Sequence, residues 1–141
     1  MKLVDVNILV YAHREEMDPH VLCKEWIETA LTHPAGLGVS DIVLSGFVRI
    51  VTHPRVFSIP TPLSIALQFA NTLREHPQTR MIQPGTRHWA IFTDLCERTN
   101  CKGNMIPDAF LAALAIEQGC EWVTLDRGFA RFPDLRLHVP S

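Results

Sequence analysis

Short apolar runs alternate along the chain with longer stretches whose apolar residues recur every three or four positions. The first pattern is that of buried strands and the second that of one-sided helices. Lys2-Leu3-Val4 opens a strand over residues 2–5, and a short helix starts near Asn7 and covers Ile8 to His13. Asp18 and Pro19 suit the cap and first position of a helix over 19–32, striped by Leu22, Trp26 and Ala30 with Ile27 and Leu31. His33-Pro34-Ala35-Gly36 stops it, and Leu37-Gly38-Val39 is a second strand. Ser40-Asp41 caps a helix from Ile42 to Thr52, which His53-Pro54-Arg55 breaks. Within the connector Ile59-Pro60-Thr61-Pro62, Thr61 is the expected cap of a helix from Pro62 to about Glu75, with Ile65, Phe69 and Leu73 on one face. Met81-Ile82 predicts a third strand, and a helix over His88 to Arg98 carries Trp89, Phe92 and Leu95. The next helix, 106–118, is apolar almost throughout, with Pro107 at its start and Gly119 placed to end it. Trp122 to Leu125 is a fourth strand, a turn of helix surrounds Phe129, and Leu135 to Val139 is the last strand.

Strands separated by helices in this rhythm imply βαβ units and a parallel sheet covered on both faces. The expected fold is α/β, a three-layer sandwich with a mainly parallel sheet of about five strands, and residues 1–141 form one domain. In such sheets the binding crevice lies beyond the carboxyl ends of the strands. Asp5 and Asp126 both follow strands, Asp41 follows the second strand, and Asp108 sits in the first turn of helix 106–118. For Asp108 to reach the same edge, loop 99–107 is expected to return the chain there before the helix begins.

Composition narrows the function classes. A hydrophobic content of 47% fits a globular core, no apolar run approaches the roughly 18 residues of a membrane span, and the N-terminus shows no signal-peptide pattern. The expectation is a cytoplasmic protein without a membrane partner. A net charge of −2 advertises no global basic field for nucleic acid, although the distribution of charge matters more than its sum. Cys23, Cys96, Cys101 and Cys120 lack paired metal spacing and read as reduced thiols, and the seven histidines are scattered.

Carboxylates gathered on one sheet edge repel one another unless they are protonated or neutralised, and divalent cations neutralise them. An all-oxygen donor set favours Mg²⁺ or Mn²⁺ over zinc, and such a site can activate water against a phosphodiester. Taken singly, Asp108 is a helix-start acid and Asp126 a turn acid. Together with Asp5 they point to one site.

Three ordered motifs carry a family resemblance: Leu3-Val4-Asp5-Val6-Asn7-Ile8-Leu9, Pro107-Asp108-Ala109-Phe110-Leu111-Ala112-Ala113, and Thr124-Leu125-Asp126-Arg127-Gly128-Phe129. With them the chain resembles PIN-domain ribonucleases, specifically VapC-type toxins of bacterial toxin–antitoxin pairs. Leu44-Ser45-Gly46-Phe47-Val48-Arg49-Ile50-Val51-Thr52-His53-Pro54 is similar to a subgroup of these toxins. The resemblance implies a Mg²⁺- or Mn²⁺-dependent endoribonuclease whose site a cognate antitoxin occludes, and which pairs as a homodimer. It implies metal at Asp5, Asp108 and Asp126, with Asn7 and Thr124 beside these acids and, together with Arg127, expected to bind substrate. Most of the family places a Glu where this chain has Gly46, which leaves Asp41 as the one nearby acid to complete the metal set. RNA would be contacted by local cations, with Arg127 and Arg131 beside Asp126 and Arg14 and Arg49 on nearby segments.

Two other readings compete. A phosphatase with Asp5 as nucleophile would need a second acid two residues on, where this chain has Asn7. A PIN domain that binds RNA or a protein without cleaving is the reading that Gly46 favours.

Overall fold

Leu3 and Val4 are fully buried because β1 (Lys2–Val4) lies in the middle of the sheet, with a parallel neighbour on each side. In the computed structural model, which describes residues 1–141, the other strands are β2 (Leu37–Val39), β3 (Thr79–Met81), β4 (Glu121–Val123) and β5 (Leu137–His138). All pairings are parallel, in the order β3-β2-β1-β4-β5. The chain builds outward from β1 through β2 to β3, then returns to the other side of β1 as β4 and β5. That reversal sits between β1 and β4, where α/β sheets open a crevice.

Six helices connect the strands: α1 (Val6–His13), α2 (His20–Ala30), α3 (Asp41–Val51), α4 (Leu63–Glu75), α5 (His88–Thr99) and α6 (Met105–Glu117). α1 packs on α2 and α3, α4 packs on α3, and α5 packs on α6. One cluster of 30 buried apolar residues joins these layers, from Leu3 and Ile8 to Leu114 and Trp122. In α6 every residue from Leu111 to Ala115 is buried, which is why its sequence lacks a polar face. Gly119, at φ +67°, ends α6 in the left-handed conformation, and the next N–H, of Cys120, donates back to the Ala115 carbonyl at 2.8 Å. None of the helices is long and apolar enough to cross a membrane.

Several sequence expectations shift. Asp18 does not cap α2; Pro19 holds that position, without a side-chain hydrogen bond. Thr61 does not cap α4 either, because Pro62 does. The Thr61 hydroxyl is buried and engages His13 Nε2 and Arg14 Nη1, each at 3.1 Å, and so ties the connector to the end of α1. Loop 99–107 does not carry the chain back across the sheet. Residues 82–87 do so first: Gly85 and Arg87 donate backbone N–H groups to Glu117, at the far end of α6. α5 then climbs beside α6, and a short turn through Asn100, at φ 51°, and Gly103, at φ 57°, brings Asp108 to the carboxyl edge.

His13 stands edge-on between Phe47 and Phe69, with ring centroids 5.5 and 5.2 Å away. Burial, and then the neighbouring Arg14 charge, hold its pKa below the usual histidine value. Well above pH 6.5 folded and unfolded chains both carry it neutral; as pH falls past that value the unfolded chain takes the proton before the folded one does. Its contribution is therefore present above the unfolded pKa and lost as pH falls toward the folded one. His13→Gln should flatten part of the stability loss as pH falls below 6.5 in denaturant unfolding. An unchanged loss in the variant would place the acid sensitivity elsewhere.

Candidate active site

Asp5 is both the residue after β1 and the N-cap of α1, so strand and helix together fix its side chain. Its Oδ1 accepts the Val6 N–H at 2.6 Å, and its Oδ2 accepts the Thr124 hydroxyl at 2.7 Å and the Asn7 amide at 3.2 Å. Only 6% of the residue is exposed. Burial pushes its pKa up to about 6; the hydrogen bonds from Thr124 and Val6 oppose this, and the charges of Asp108 and Asp126 add to it.

Thr124, just past β4 and fully buried, is the hub of the network. It donates to Asp5 and accepts from the Asn7 amide at 3.0 Å and from the Asp126 N–H at 2.9 Å. Asn7 also accepts the Leu125 N–H at 3.3 Å. The β1 and β4 edges are thereby laced together through side chains. Neither Thr124 nor Asn7 is left free for substrate in this arrangement; both orient the acids, and the full burial of Thr124 corrects its expected place in a substrate surface.

Asp126 caps a 3-10 turn over Arg127–Arg131, with its Oδ1 accepting the Gly128 N–H at 2.8 Å. The second carboxylate oxygen has no protein partner. Asp108, in the first turn of α6, is half-buried; burial and then the Asp126 charge raise its pKa, against the pull of Arg131. Asp5, Asp108 and Asp126 all line one cleft of about 670 Å³ at the β1/β4 reversal.

The structure does not bring Asp41 to this cleft. Its carboxylate is exposed at the start of α3 and is held by Arg74 of α4 through contacts of 2.8 and 3.3 Å. That guanidinium keeps its pKa low, so Asp41 is an ionised partner of another helix and no substitute for the acid absent at Gly46. Gly46 itself does line the cleft, on the α3 face that meets α1. A Cβ there would stand 3.0 Å from Val6 Cγ2, so the missing side chain also lets α1 and α3 approach closely.

The expected cation contact changes as well. Arg127 is exposed, makes no ion pair and does not line the cleft, whereas Arg14 and Arg49 do. Arg14 is committed: it pairs with Glu16 at 2.6 Å, donates to Thr61 and lies 4.0 Å over the Phe57 ring. Arg49 is exposed and has no acid within ion-pair reach. The sequence placed both arginines near the crevice, but nothing local to it distinguishes the committed one from the free one.

No three acidic, histidine or cysteine side chains stand close enough to enclose a metal ion by themselves. The donors still suit a hard divalent cation. They are all carboxylate oxygens, one group is desolvated with two like charges nearby, and the Asp108 carboxylate and one oxygen of Asp126 take no protein hydrogen bond. Such ions keep several waters and need few protein ligands.

The PIN domain family model matches residues 2–135. Ribonuclease VapC43 of Mycobacterium tuberculosis is 43% identical over 99% of this chain and 95% of its own length. Ribonuclease VapC25 of the same organism is 37% identical over 96% of each chain. Among solved structures, Rickettsia felis VapBC2, bound to a DNA fragment from its promoter, superposes with a TM-score of 0.73 at 20% identity, over 99% of this chain and 98% of that one. M. tuberculosis VapC20, described as a sarcin-ricin loop cleaving toxin, gives 0.69 at 16% identity, over 96% and 99%. These two likenesses support the fold.

Proposed function

Because this chain belongs to the PIN-domain family, among the VapC ribonucleases, we propose that its β1/β4 cleft hydrolyses RNA phosphodiesters as the toxin of a toxin–antitoxin pair. The observation that carries this reading is the convergence of Asp5, Asp108 and Asp126 on one cleft at the carboxyl edge of the sheet. These three acids are the ones that would hold Mg²⁺ or Mn²⁺. When bound, such an ion supplies charge neutralisation and an activated water for in-line attack. The chain's own work is orientation: Thr124 and Asn7 fix Asp5, and Asp126 keeps one oxygen unclaimed. A cognate antitoxin is the partner that belongs with this family, and a metal-dependent hydrolase is favoured over a binding-only domain because Asp5 and Asp126 are held by hydrogen bonds and converge with Asp108 on one cleft.

Cleavage of total cellular RNA with Mg²⁺ or Mn²⁺ should disappear in EDTA. Asp126→Ala should weaken Mn²⁺ binding in calorimetry, whereas Asp41→Ala should leave both Mn²⁺ binding and cleavage unchanged. RNA binding that persists without cleavage in any divalent ion would favour the binding-only reading. We extend the proposal to a homodimer, because Leu63, Ile65 and Leu67 of α4 are all more than 40% exposed and need cover. Light scattering should show a dimer at micromolar concentration; a monomer across that range would contradict it.

A further inference from the structure

The cleft has two chemically different ends. One carries the three carboxylates; the other is walled by Tyr11 of α1, by Met17 just after it, and by Ile50, Val56 and Phe57 from α3 and the loop after it. Val56 is 54% exposed, although it lies in a concave wall and no other residue covers it. Tyr11, Met17 and Ile50 are only partly buried. Gly46 lines the same cleft, where a Cβ would meet Val6 of α1 at 3.0 Å. Arg49 follows three residues later on the same face, without an acid partner.

A nucleotide beside a scissile phosphate has the matching asymmetry: an anionic phosphate at one end and a flat, largely apolar base at the other. Two ordered devices keep the wall in shape. Arg14 stacks on Phe57, and the Thr61 hydroxyl joins Arg14 and His13. With Phe57 nine-tenths buried beneath Arg14, the surface left for a base is offered by Tyr11, Met17 and Val56. Arg14, Glu16 and Ser58 also line this part of the cleft, but Arg14 and Glu16 are paired with each other, so what Tyr11, Met17 and Val56 offer a base is contact and stacking.

We propose that this apolar end is a subsite for one unstacked base next to the scissile phosphate, with Tyr11, Met17 and Val56 as its wall and Arg49 as a phosphate contact. It rests on the ribonuclease reading and adds to it two positioning roles, base holding and phosphate holding, on residues outside the acid set. The subsite requires a base but tolerates exchange of one base for another, because only the π-face and apolar surface are recognised.

The test compares two fluorescent probes in EDTA, where nothing is cleaved: octauridylate and the same ribose-phosphate chain without bases. The bare carboxylates weaken both probes alike and drop out of the ratio of their affinities. Wild-type protein should prefer octauridylate by about tenfold, the range expected for one stacked base. Val56→Ser and the fold-preserving Tyr11→Leu should bring that ratio toward one. Arg49→Gln should weaken both probes equally and reduce the salt slope by about one counterion. A wild-type ratio of one, or a ratio that both wall variants leave unchanged, overturns the proposal. So does a result in which those variants weaken only antitoxin binding, which would assign the apolar wall to a protein partner. Failure of the ribonuclease reading looks different: no cleavage of total RNA with any divalent ion, whatever the probes do.

Discussion

Asp5→Asn should reduce divalent-dependent RNA cleavage by more than about a hundredfold while leaving a cooperatively folding protein. Loss of a residue that merely supports a metal ligand typically costs about 10–100-fold in affinity or activity, so loss of the ligand itself should exceed that. The substitution keeps the shape of the side chain and one acceptor oxygen, which can still take the Val6 N–H. It replaces the other oxygen by an amide NH₂, which cannot accept the Thr124 hydroxyl. It also removes the most desolvated of the three charges, so the metal-free fold loses the hydrogen bonds from Thr124 and Asn7 but escapes a burial penalty. Cleavage at matched Mn²⁺, Mn²⁺ calorimetry and a melting curve measured together separate these effects. A wild-type cleavage rate in the variant would end the assignment of Asp5 to a metal.

Thr124→Val should be nearly as damaging, although Thr124 touches no solvent. Valine matches the shape of threonine but removes one donor and one acceptor from a fully buried point. Asp5 Oδ2 loses its shortest partner, and the Asn7 amide and the Asp126 N–H each lose an acceptor. A buried polar group left unsatisfied costs about 1–3 kcal/mol. The melting temperature should therefore fall, and Mn²⁺ affinity should drop by about 10–100-fold as Asp5 and Asp126 lose their common anchor. Thr124→Ser keeps the hydroxyl and should restore Mn²⁺ affinity, which a purely packing role for the threonine methyl would not allow. If valine and serine behave alike, the hub role is refuted.

The sequence by itself determined the order of elements and most of the acid site, because both follow from local rules. Short apolar runs and helical apolar periods located all five strands and six helices, and Leu37–Val39 and the Ser40 cap of α3 appear where the chain placed them. Asp5, Asp108 and Asp126 stood out because each adjoins an element terminus, and a parallel sheet gathers strand ends on one edge. Tertiary structure alone decided which polar residues serve that edge and which serve another surface. Asp41 has the same local setting as the cleft acids, yet Arg74, 33 positions away in sequence, draws it to a different face. Thr61 has the sequence of a cap, yet its hydroxyl goes to His13 and Arg14. Thr124 shows no local sign of joining Asp5, 119 positions earlier, to the backbone of Asp126. Local rules act through neighbouring backbone groups and are visible in a window of a few residues. A hydrogen bond or ion pair between distant segments depends on which strands become neighbours, and that is decided only when the apolar faces of the sheet and helices are buried together.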